Sequence, residues 1–130
     1  MIADQHPLLE YYPADGATHR PFSAAVRVGQ LLYLSGQIGL DASGKLAPGG
    51  IAGETRQALE NIRATLERYG SSLDRVVKAT VMLADIVEWA EMNKVYVTFF
   101  GDHLPARSAF GTSGLALGAR VEIECIAVLP

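Results

Sequence analysis

Two side chains near the C-terminal end of the chain have the chemistry to work on a small acid together. They are Arg107, in Pro105-Ala106-Arg107-Ser108, and Glu122, fifteen residues later in Val121-Glu122-Ile123-Glu124. A guanidinium keeps its charge at any cellular pH, and its planar fork of donors fits a carboxylate bidentately. A glutamate on a neighbouring strand can orient a water or carry a proton. The pair reads as a site that grips a carboxylate and hydrolyses the bond beside it. Two other readings stay open. Arg107 could form a structural ion pair with Glu122 or Glu124, and Glu124 competes with Glu122 as the working carboxylate.

Other chemistries find less support. Ser35 lies in Ser35-Gly36-Gln37, without a Gly-x-Ser-x-Gly elbow or an evident His/Asp partner, so it does not read as a nucleophile. His6, His19 and His103 are scattered and lack metal-ligand spacing. Gly111, Gly114 and Gly118 do not match a phosphate loop. Cys125 is the lone cysteine, which excludes an intramolecular disulfide and fits a reducing compartment.

The elements that must position these groups can be read from periodicity. Residues 1–22 hold three prolines and little pattern, and read as an irregular arm. Ala25–Val28 and Leu31–Ser35 form a predicted hairpin through Gly29-Gln30, a glycine-first link of the II′ kind. A helix is expected from Gly53 to Tyr69, with Leu59, Ile62, Leu66 and Tyr69 on one stripe and Gly70 as its stop. Val76–Leu83 alternates, with Val77, Ala79, Val81 and Leu83 predicted to face the core. Asp85 is expected to cap a second helix, with Glu88 completing a capping-box-like pair. Trp89, Met92, Tyr96, Phe99 and Phe100 give that helix its apolar stripe. Strands follow over Arg107–Ser113 and Val121–Leu129. On the last one Val121, Ile123, Cys125, Ala127 and Leu129 share a face.

The resulting order, β-β-α-β-α-β-β, predicts a single α+β domain over residues 1–130, an antiparallel or mixed sheet with two helices on one face. The other face would carry Ile126, Val128, Val76 and Met82 among polar groups. Such a face is too apolar for water and too polar for a dry core. Packing against copies of the chain would resolve both, placing Glu122 near a subunit boundary.

Composition agrees. The chain has 130 residues, a formal net charge of −3, 49% hydrophobic residues and 19% charged ones, so a permanent oligomer is expected and nucleic acid is not. Met1-Ile2-Ala3-Asp4 lacks the basic start of a signal peptide, and no apolar run is long enough to span a bilayer. A cytoplasmic location is the expectation.

Leu34-Ser35-Gly36-Gln37-Ile38, Thr55-Arg56-Gln57-Ala58-Leu59-Glu60-Asn61-Ile62, Val76-Val77-Lys78-Ala79-Thr80-Val81, Met92-Asn93, Pro105-Ala106-Arg107-Ser108 and Val121-Glu122-Ile123-Glu124-Cys125-Ile126-Ala127 together resemble the Rid/YjgF family of enamine/imine deaminases. The resemblance covers residues 20 to 129. It implies a chorismate-mutase-like fold, a homotrimer with sites in the clefts between subunits, and hydrolysis of 2-imino acids to 2-keto acids and ammonia without metal or cofactor. The implied activity is that of a 2-iminobutanoate/2-iminopropanoate-type deaminase acting on compounds such as 2-aminoacrylate. Arg107 would clamp the substrate carboxylate and Glu122 would position the water. Phe22, Ser35, Gly36, Asn93 and Ala109 would line the pocket. Ala109 stands where many members have cysteine, and Phe22 where many have tyrosine. Both departures bear on substrate identity. Two other functions stay in view: a non-catalytic module binding small carboxylates, and the RNA-cleaving translation inhibition reported for some relatives.

Overall fold

The computed structural model of the protein describes residues 8–14 and 20–130. Its strands are β1 (Leu9–Pro13), β2 (Ser23–Val28), β3 (Leu31–Leu34), β4 (Gln37–Ile38), β5 (Val76–Leu83), β6 (Ala106–Gly111) and β7 (Val121–Val128). Its helices are α1 (Gly50–Arg68) and α2 (Trp89–Phe100). The sheet runs in the order β1-β2-β3-β7-β5-β6, with β4 also paired to β7. All pairs are antiparallel except β5 with β6, whose connection is α2. A parallel pair needs a crossover of that length, so α2 must lie across the sheet.

Both helices pack on one face. Leu32, Leu59, Ile62, Leu66, Leu83, Met92, Val121 and Ile123 are fully buried between the layers. Each such side chain contributes about 1.5–3 kcal/mol relative to exposure. Alternation along β7 puts Val121, Ile123, Cys125 and Ala127 under the helices and Glu122, Glu124, Ile126 and Val128 on the other face.

Several expectations need correction. Residues 1–22 are not wholly an irregular arm, because Leu9–Pro13 pairs with β2 as an edge strand. Its Tyr12 stacks on Tyr69 at the end of α1, ring centroids 4.2 Å apart. Pairing with β2 and that contact across the chain, rather than any local pattern, hold the strand. Helix α1 starts three residues before Gly53, at Gly50, while Gly70 ends it in a left-handed conformation as expected. Gly29 also has positive φ, as the hairpin requires.

On β5 the register shifts between Val76 and Lys78, so Val76 is buried and Val77 turns out, 46% exposed. A bulge inserts one extra residue and exchanges which neighbours face inward. Trp89 is 44% exposed instead of core, because it opens α2 at the rim. Asp85 caps a short 3-10 turn (Ile86–Glu88) through the Val87 amide, and α2 begins after it. Glu88 makes no capping box with it and instead receives Arg120, Nη1 to Oε2 at 2.8 Å. The last predicted strands also shorten, to Ala106–Gly111 and Val121–Val128.

Arg120 ties three elements together. Its backbone N–H donates to the buried carboxylate of Glu54 on α1 at 2.9 Å, while its guanidinium reaches Glu88. An unpaired carboxylate there would be costly, and the amide supplies the hydrogen bond that burial demands. The strut fixes the start of β7 two residues before Glu122.

Candidate active site

The candidate groups fall into two half-sites. Glu122 lines a cleft of about 760 Å³ that opens where the chain leaves β3 and re-enters the sheet as β4. Phe22, Ser35, Gly36, Gln37, Ile38 and Leu117 also line it. Gly36 is required by close approach, since a Cβ there would collide with Oε2 of Glu122. The carboxylate therefore rests against bare backbone. Ser35 donates its hydroxyl to the Ser23 carbonyl at 2.5 Å, which occupies its proton and holds the turn. Phe22 is 49% exposed at the mouth. Glu124 does not line this cleft; it sits opposite Thr80 and beside a smaller hollow with Lys78 and Tyr33.

Arg107 belongs to the second half-site. It is half-buried on β6, opposite Ala79, which lies beneath the helices. Its Nη1 donates to Oδ1 of Asn93 on α2 at 2.6 Å. The guanidinium carbon lies 4.8 Å from the Tyr96 ring centroid and 5.6 Å from that of Trp89. Ala109 follows two residues on, opposite Val81 and on the same side. Among the described residues no carboxylate pairs with Arg107. The structural ion pair with Glu122 or Glu124 is thus not formed within the chain.

The two half-sites do not meet in one chain. β5 lies between β6 and β7, so Arg107 and Glu122 are not on neighbouring strands as expected. Arg107 aligns with Ala79 and Glu122 with Met82, three residues apart on β5 and so on opposite faces. Two strand spacings and three residues of rise put their Cα atoms roughly 14 Å apart, with the side chains diverging. Each half-site has exposed apolar side chains at its rim: Trp89 beside Arg107, and Phe22 and Leu117 beside Glu122.

Burial silences the remaining reactive groups nearby. The Cys125 thiol is pushed up to about 12 by burial, with the Glu124 charge adding to it. A thiol so hard to ionise is a core residue and not a nucleophile. The Tyr96 hydroxyl is likewise raised to about 12 by burial, partly opposed by Arg107. His103 is exposed, and His6 and His19 lie outside the described residues.

Trp89, Tyr96 and Leu117 are among the residues that escaped the sequence reading as parts of a site. Trp89 and Tyr96 were legible as one stripe with Asn93, at positions i, i+7 and i+4, but that spacing equally marks a core face. Leu117 carried no signal, because its left-handed backbone (φ 58°) and 72% exposure depend on how the turn is folded.

A mixed sheet carrying two helices on one face is the fold of a recognised class of proteins. Residues 14–129 match the family described as Endoribonuclease L-PSP, and the chain belongs to this Rid/YjgF family. A mouse relative named 2-iminobutanoate/2-iminopropanoate deaminase is 48% identical over 83% of this chain and 81% of its own. The protein HMF1 of Saccharomyces cerevisiae is 43% identical over 98% of this chain and 97% of its own. Among solved structures, yeast Mmf1 superposes with a TM-score of 0.82 at 35% identity, covering 97% of this chain and 98% of its own. RidA from an Antarctic Psychrobacter gives 0.80 at 37% identity, covering 97% and 100%. No helix among the described residues is long and apolar enough to cross a membrane.

Proposed function

We propose that the protein is a hydrolytic deaminase of 2-imino acids, working as a ring of identical subunits, three by family resemblance. Each site would join the Arg107 half of one subunit to the Glu122 half of the next. The observation that carries this reading is the separation itself. One half presents a fixed cation with spare donors, the other a carboxylate in a roomy cleft, and each has an apolar rim. Head-to-tail contact of such surfaces closes into a ring and buries both rims. The names borne by the mammalian relatives point to the same chemistry.

In this reading Arg107 takes the substrate carboxylate in a fork of two hydrogen bonds, with Asn93 holding its remaining side. Such a pair contributes about 1.5–3 kcal/mol. The imine carbon then lies next to Glu122. Water adds to that carbon, and the carboxylate of Glu122 accepts its proton, giving a carbinolamine. Glu122 returns that proton to the imine nitrogen, completing the amine, and then carries the hydroxyl proton to the same nitrogen as the C–N bond breaks, so that ammonia leaves, the C=O of the 2-keto acid forms and Glu122 is again a carboxylate. Atoms and charge balance with water as the sole co-reactant. Proton transfer of this kind contributes about 10²–10⁴-fold, which suffices for so electrophilic a carbon. Ser35 and Gly36 shape the wall, Phe22 faces the substrate's side chain, and the Ala109 backbone carbonyl offers a second acceptor for the water.

The test is direct. An amino-acid oxidase generates 2-imino acids in situ, and release of keto acid is followed with and without the protein. Acceleration by the wild type and its loss in Arg107→Ala and Arg107→Lys is the expected result. Thermal stabilisation by 2-keto acids with no acceleration of any imine would replace the enzyme by a carboxylate-binding module.

A further inference from the structure

We propose that Tyr96 and Trp89 are positioning residues for Arg107, an aromatic cradle on α2 that fixes the guanidinium for carboxylate capture. The inference rests on the reading of Arg107 as the carboxylate clamp.

A guanidinium has five N–H donors, and every one spent on a structural partner is lost to the substrate. Asn93 takes one, at 2.6 Å. A carboxylate partner would hold the cation more firmly, but it would also occupy the fork that the substrate needs. Aromatic faces avoid that conflict, because they attract the cation through the ring quadrupole without consuming a donor. Tyr96 and Trp89 stand 4.8 and 5.6 Å from the guanidinium carbon, inside the range where this attraction acts. With Asn93 they occupy helix positions i, i+4 and i+7, one continuous row on α2 that crosses the arginine.

Tyr96 is the firmer wall. It is 2% exposed, and Phe100 packs behind it with ring centroids 4.8 Å apart. Its hydroxyl is buried and has no hydrogen-bond partner. A buried hydroxyl left without a partner is destabilising, so the hydroxyl does not explain what the residue does in this chain. The ring face toward Arg107 does. The same geometry predicts that lysine will not replace the arginine, because its ammonium presents no plane to lie along the rings and no fork to offer beyond them.

The experiment compares wild type, Tyr96→Leu, Tyr96→Phe and Trp89→Leu. Calorimetry reads binding of 2-oxobutanoate and of 2-oxobutanamide, which lacks the carboxylate, and in-situ imine assays give KM and kcat. Tyr96→Leu is expected to weaken 2-oxobutanoate by about ten-fold, and the rim residue's variant Trp89→Leu by about three-fold. The amide's affinity stays put, and KM rises while kcat changes little. Tyr96→Phe restores wild-type binding, since it keeps the face and drops only the hydroxyl. Equal weakening of acid and amide, failure of phenylalanine to rescue, or unchanged acid binding in both leucine variants would overturn the cradle. Trp89 is a surface position, so its variant decides the matter if Tyr96→Leu does not fold. A wild type that binds the keto acid but turns over no imine sinks the deaminase reading and leaves the cradle intact. One that binds no keto acid overturns the cradle.

Discussion

Arg107→Ala and Glu122→Gln should each be nearly inactive alone and should rescue one another when subunits are mixed. Loss of the fork removes about 1.5–3 kcal/mol of carboxylate binding, roughly ten- to hundred-fold in kcat/KM. Loss of the glutamate removes about 10²–10⁴-fold. Within one chain the two groups point away from each other across β5, so a site must draw them from different chains. When equal amounts of the two variants are co-expressed, or unfolded together and refolded, subunits assort at random. An intact arginine then meets an intact glutamate in about one site in four for any closed head-to-tail ring. The in-situ imine assay should therefore recover about a quarter of wild-type activity from a mixture of two variants that each retain about a tenth or less. Differently tagged subunits confirm that exchange took place. If the mixed assemblies stay at the level of the parents, the inter-subunit site is wrong, whatever the separate effects of the variants.

Gly36→Ala should reduce kcat by about ten- to hundred-fold with little change in fold, because its new methyl displaces Glu122 from the cleft wall; circular dichroism and kinetics together check this. Stability should fall above about pH 9. Cys125 and Tyr96 hold their protons in the folded state up to about pH 12, while the unfolded chain releases them near 9 and 10, so the folded state binds more protons across that window. Each group then lowers stability by at most about 1.4 kcal/mol per pH unit, an effect fully absent below pH 8. Urea titrations of Cys125→Ala across pH 8–11 should show a shallower decline than wild type, and an identical slope would refute the assignment. In the unassembled subunit, at low protein concentration, Leu117→Gly should raise stability by about 0.5–1 kcal/mol, since there the leucine is exposed and its φ of 58° carries left-handed strain that glycine relieves. A lower urea midpoint in that variant would show that the side chain packs against something.

Much of the architecture was legible in the residues. Strict alternation over Val121–Val128 is a strand with one face buried, and the 3.6 spacing of Leu59, Ile62 and Leu66 ending at Gly70 is a helix stopped by a left-handed residue. The buried Cys125, the hairpin at Gly29 and two helices on one face follow from the same local rules. Where contacts distant in sequence decide, those rules fell short. β1 exists because it pairs with β2 and its Tyr12 finds Tyr69, the bulge at Val77 is set by the register with β7, and Trp89 reaches the rim because α2 starts late.

Arg107 and Glu122 stood out by type, but their spacing left a structural ion pair and Glu124 open, and only the family resemblance favoured this pair. Fifteen residues of separation say nothing about which strands become neighbours. That was decided by β5 inserting between β6 and β7 as the parallel partner of one and antiparallel partner of the other, which turns the two side chains to opposite faces. Chemistry is written in side-chain types and survives any fold; proximity arises only when hydrogen-bond pairing fixes the order and parity of strands.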